Sequence, residues 1–209
     1  PRPGGEHVGP VAMLGGEAWR NYRRSVAAPW VQAYKWPILC FISVGFWNVI
    51  GAGLLGFSIN TPIALYYMQG MNMTAAHGHA ALFGVYGMLG IGLLLFCLRG
   101  LSSRAAWSDR LLRPMFWSLN IGLGMMAFMS LVPAGIYQAW ASITHGVWFA
   151  RSPEVIHSKV MEALVWLRVP GDVVFAIGIL FLALFAMRLF MGGKSESTET
   201  VPAAQPRMA

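Results

Sequence analysis

An all-α, polytopic transmembrane bundle of about four spans is the fold this sequence predicts, on three observations. The 209 residues are 56% hydrophobic and only 11% charged, whereas a soluble domain carries about 25% charged residues. No Asp, Glu, Lys or Arg occurs from Trp36 to Leu98. Four stretches are long enough for the about 20 apolar residues that cross a bilayer, near 37–57, 75–98, 115–137 and 172–191. One soluble core cannot hide that much apolar surface.

In chain order, residues 1–36 are mixed and polar and read as a cytoplasmic-side segment, with EAWRNYRR as an amphipathic helix on the inner membrane surface. The opening PRPGGEHVGP has no signal-peptide pattern and reads as an arbitrary start, so the chain is expected to be a fragment of something longer. The transmembrane segment is 37–191. Its first span is PILCFISVGFWNVIGAGLLGF, and the uncharged loop SINTPIALYYMQGMNM after it stays near the outer surface, with Tyr66 and Tyr67 in an interfacial aromatic belt. The second span runs on from TAAHGHAALFG, and the third is MFWSLNIGLGMMAFMSLVPAGIY. In the longer outer loop 138–168, VIHSKVMEALVWLR has helical apolar spacing. The fourth span is DVVFAIGILFLALFAMRLFM, and the tail 192–209, small, polar and Pro-containing, reads as disordered and cytoplasmic. The glycines of GAGLLG and GMLGIG suit close helix packing.

The net charge of +7 is distributed by topology rather than as a nucleic-acid patch. With the first span entering from the cytoplasm, twelve of the fifteen Lys and Arg lie inside, leaving Arg151, Lys159 and Arg168 outside. This positive-inside bias places both ends in the cytoplasm. Cys40 and Cys97 fall inside spans, without haem-attachment or zinc spacing, and read as buried thiols.

His77 and His79 carry the chemistry. Successive helical residues turn by about 100°, so an i, i+2 pair faces opposite sides of its helix. The two cannot comfortably bind one metal, but each can serve a different centre. Neutral imidazole is a common haem ligand, and Gly78 between them permits close approach of a flat ring or a helix. The alternative is a pair of interfacial histidines hydrogen-bonded to neighbours. Ionisable groups in a membrane default to functional roles.

The stretch FWNVIGAGLLGFSINTPIALYYMQGMNMTAAHGHAALFGVYGMLGIGLLLF, with QAWASITHGVWFARSPE and WLRVPGDVVFAIG after it, resembles the nitric oxide reductase branch of the haem-copper oxidase superfamily, and within it the quinol-dependent enzymes. The resemblance covers roughly residues 10–192 and implies the C-terminal segment of a fold of twelve or more helices in a bacterial-type inner membrane. It implies that His77 is the proximal ligand of a high-spin haem b and His79 an axial ligand of a low-spin haem b. The implied reaction converts two NO, two electrons and two protons to N2O and water. A non-haem iron would take its ligands from preceding helices, so the segment alone is expected to be inactive; structural calcium stays open. The implied partners are the bilayer, quinol, NO and upstream helices of the same polypeptide. Arg168 suits haem propionates or a plain surface role; Asp172 resembles the aspartate of the quinol pocket, or is a helix-start carboxylate. His145 and His157 are expected to be solvated or structural; Glu154 and Glu162 could shuttle protons from the outer side, though nothing in their spacing demands it. Rival readings are the cytochrome-c-dependent branch, a non-catalytic dihaem electron-transfer anchor, and a haem-free scaffold.

Overall fold

The computed structural model describes residues 20, 23, 28–102 and 107–192. The surface helix expected at EAWRNYRR (apart from Arg20 and Arg23) and the tail past Gly192 lie outside the described residues. The described chain forms α1 (Pro29–Ala33), α2 (Lys35–Asn60), α3 (Pro62–Met68), α4 (Asn72–Leu101), α5 (Asp109–His145), α6 (Pro153–Ile156), α7 (Lys159–Trp166) and α8 (Val169–Gly192), with no strand among the described residues. Among the described residues, four helical stretches are long and apolar enough to cross a membrane: α2, α4, α5, and α7 running into α8.

The helices outrun the apolar stretches. α5 begins at Asp109, carries on past Pro114 and Pro133 and through Gln138, and ends at His145, where Gly146 turns the chain at φ 100°. α2 stops where Thr61 adopts extended backbone ahead of Pro62. The segment expected as a plain loop, 58–73, contains α3 and then reverses at Gly70, φ 71°. VIHSKVMEALVWLR is helical as its spacing predicts, but in two pieces divided at His157–Ser158, where the Ser158 hydroxyl caps α7 by accepting from Met161 N.

Three of the long helices widen into π-helical turns, at Asn48–Leu55 in α2, Ala80–Gly87 in α4 and Met126–Leu131 in α5. In α5 the wide stretch ends just before Pro133, which has no N–H to give the ladder. The other two lie side by side across the α2–α4 seam.

Membrane helices are held by close packing rather than by the exclusion of water, and here glycine sets the spacing. Along the antiparallel α2–α4 seam, a Cβ on Gly92 would come within 2.8 Å of Phe41, one on Gly84 within 2.5 Å of Trp47, and one on Gly51 within 2.6 Å of Ala80. α5 packs on α8 as tightly, since a Cβ on Gly122 would meet Phe175 N at 2.6 Å and one on Gly171 would meet Met126 N at 2.7 Å. Three buried clusters form among the described residues. One surrounds Trp47, Ala76, Ala80 and Leu123 near the histidines, a small one gathers Met71, Ala141, Ala150 and Val155, and the third surrounds Trp36, Cys40, Leu95, Leu112 and Phe185 at the opposite end. There Trp36 Nε1 donates to Asp109 Oδ1 at 2.8 Å and Arg99 Nε donates to the Ala33 carbonyl at 3.0 Å.

Candidate functional site

His77 and His79 lie in the first turns of α4, and α5 fixes that end of the helix. Gln138 Oε1 accepts from both Asn72 N and Asn72 Nδ2, each at 3.0 Å, and a Cβ on Gly135 would strike the Met73 backbone at 2.5 Å. Arg151 donates to the Gln69 carbonyl just before the turn into α4.

The two imidazoles turn to different neighbours, as their i, i+2 spacing requires. His77 lies against α2: its Nδ1 is 2.9 Å from the Gly51 carbonyl, and its Cε1 stands 2.9 Å from where a Cβ on Gly56 would be. His79 has Nδ1 2.8 Å from the Ala75 carbonyl of its own helix, and its Nε2 faces Arg168 Nη2 at 3.3 Å. A carbonyl can only accept, so Nδ1 carries the proton in each ring. Each Nε2 is therefore the basic nitrogen, and in His79 it already acts as an acceptor. An Nδ1–H held by a carbonyl is the arrangement that orients an imidazole for metal ligation through Nε2. Both rings are half-buried. The donor chemistry thus fits two axial ligands, one per side.

Arg168 sits at the turn between α7 and α8, with its Nε 3.2 Å from Asp172 Oδ1 one helical turn on. In the line His79–Arg168–Asp172, His79 and Arg168 lie 89 positions apart in sequence. No sequence spacing announced it; only the packing of α8 on α5 brings Arg168 to α4. Asp172 is exposed in the first turn of α8. His145, His157, Glu154 and Glu162 are exposed and away from the pair, with His145 Nδ1 against Thr144 Oγ1 at 2.7 Å. Cys40 is buried, but Cys97, expected to be buried too, is exposed on the outside of α4. Among the described residues no three His, Cys, Asp or Glu side chains gather as a metal-ion site.

Four apolar helices among the described residues, one of them carrying a histidine pair on different sides, define a helical membrane protein. Residues 22–174 match the family described as cytochrome c and quinol oxidase polypeptide I, and the chain belongs to that family. Its members bind haem and metals. The chain is also similar to a nitric oxide reductase subunit of Stutzerimonas stutzeri, 31% identical over 134 residues, which are 62% of this chain and 28% of the relative. It therefore spans under a third of that relative's length.

Proposed function

We propose that this segment is part of a membrane nitric oxide reductase fed by quinol, in which α4 divides two haems. His77 would hold the high-spin haem b and His79 the low-spin haem b. The observation that carries this reading is the pair of Nδ1–carbonyl tethers, which leave Nε2 as the basic nitrogen of each ring, that of His79 facing Arg168, which would have to yield it to a metal. Bound there, the haems would supply electron transfer and NO binding; a non-haem iron would be held by residues outside this segment. The chain's own residues orient the ligands through Gly51 and Ala75 and keep a cation, Arg168, beside His79 to balance carboxylates at the membrane edge. Asp172 would accept a proton or a hydrogen bond from a quinol hydroxyl. The overall reaction is 2 NO + 2 e⁻ + 2 H⁺ → N2O + H2O.

The test is spectroscopic, on the protein at its full natural length. His77→Ala should remove the CO-reactive high-spin signal and His79→Ala the low-spin signal in reduced and CO-difference spectra. Wild-type spectra and haem content in both variants would remove the basis of the proposal. A second reading, the cytochrome-c-dependent branch, is favoured by the relative's being named as one subunit of an assembly. NO consumption with quinol alone, against consumption only with reduced cytochrome c, separates the two.

A further inference from the structure

A cavity of about 330 Å³ opens between the start of α5 and the far end of α8, at the end of the bundle opposite the histidines. Trp107, Ser108, Asp109, Arg110 and Arg188 line it. Donors crowd this wall and lack acceptors. Neither guanidinium has a hydrogen bond or an ion pair among the described residues. Ser108 is nine-tenths buried, yet its hydroxyl neither caps α5 nor meets any other partner among the described residues. The first N–H groups of a helix have no partner within it and carry partial positive charge, and α5 starts at this wall. Asp109 is the one carboxylate among the lining residues, and it is engaged, its Oδ1 accepting from Trp36 Nε1 at 2.8 Å.

Two arginines, a buried hydroxyl and a helix start call for a negatively charged ligand with several acceptor oxygens. The level in the bilayer says which one. α8 carries no charge between Asp172 and Arg188, and α4 ends its charge-free run at Arg99, whose Cζ stands 5.0 Å over the Trp107 ring. Arginines from three helices thus enter at one level, where the apolar runs stop, and that is the plane of the lipid headgroups. On the same face of α8 as Arg188, one and three turns back, Leu184 and Ile177 are exposed and offer acyl chains a path. We propose that this cavity seats the phosphate of an anionic phospholipid, held by Arg110, Arg188 and Ser108 Oγ. A free phosphate shares the anion chemistry but makes no use of the apolar face beside it. Neither haem nor quinol enters this site, so it stands or falls apart from the proposed reaction.

The test is native mass spectrometry of the full-length protein in detergent, titrated with phosphatidylglycerol and, in parallel, with phosphatidylcholine or inorganic phosphate. Phosphatidylglycerol should bind more tightly than phosphatidylcholine. Arg110→Gln and Arg188→Gln should each weaken its tightest binding about fivefold, with a smaller loss in Ser108→Ala. Arg113 is exposed one turn past Arg110 but lies outside the lining, so Arg113→Gln should change nothing. Thermal unfolding at the wild-type temperature establishes that each variant is folded. Equal binding of phosphatidylcholine, or undiminished binding by a folded variant carrying both Arg110→Gln and Arg188→Gln, would overturn the proposal. So would an equal loss in Arg113→Gln, which would mean diffuse surface charge rather than a site. Displacement of the lipid by inorganic phosphate would make this a free-anion site. Failure of any lipid to bind there would mean that an acidic segment elsewhere in the full-length protein fills it, and either result would also overturn the proposal.

Discussion

The ring nitrogens of His77 and His79 are committed by contacts one carbonyl deep. His77 depends on Gly51 and on the absence of a side chain at Gly56. Gly56→Val should therefore displace the His77 ring and reduce high-spin haem occupancy while sparing the low-spin signal, as read by haem quantitation and difference spectra. Arg168 stands beside the other histidine. Arg168→Gln, which removes a cation beside His79, should lower the midpoint potential of the low-spin haem in a redox titration; an unchanged potential would leave Arg168 a surface role. Its pairing with Asp172 is a different matter, because both side chains are over a third exposed. An exposed i, i+4 pair contributes about 0.3–0.5 kcal/mol, so Asp172→Asn should leave thermal stability nearly unchanged, and a fall in quinol-driven turnover would then report function. The histidine pair was legible because H-G-H in an uncharged run has few bland explanations. Its partners were not. The Gly51 carbonyl is backbone, and Arg168 reaches His79 only through a tertiary contact.

Helix seams decide how firmly those contacts are held. At the α5–α8 seam the obstacle facing Gly122 is backbone, Phe175 N, which cannot swing aside. Gly122→Val should cost about 1–3 kcal/mol through overpacking, whereas Gly124→Ala, two residues on in open space, should be neutral or stabilising by up to ~1 kcal/mol through helix propensity. Unfolding of the purified protein in mixed detergent micelles compares the two. GAGLLG and GMLGIG announced close packing, and Gly51, Gly56 and Gly92 provide it, but Gly90 meets nothing and Gly53 meets only the Asn48 carbonyl of its own helix. The tightest approaches include Gly122, Gly135 and Gly171, all outside those two motifs. Such a glycine shows its purpose only once the facing backbone is known.

Across the whole molecule, apolar length was enough to count the spans, since nothing else accommodates such stretches. The ends of the helices were not legible, because a helix ends where backbone geometry breaks, as at Thr61 and Gly146, and not where hydropathy falls. Orientation rests on twelve Lys and Arg against three. In a protein lacking Cys40 and Cys97, a membrane-impermeant thiol reagent should label Trp148→Cys in intact cells and Leu101→Cys only after permeabilisation; the reverse pattern would invert the topology. The wide turns Ala80–Gly87 begin directly after His79, between the histidine end of α4 and its core-packed residues Met88, Gly92 and Leu95. A π-type turn carries an extra residue, and one residue of regular helix is worth about 100° of rotation. The two ends of α4 are thus indexed separately, like two shafts joined by an adjustable coupling. Removing a single residue within that coupling would leave a span of nearly the same length whose histidine end points to a different quarter of the membrane plane.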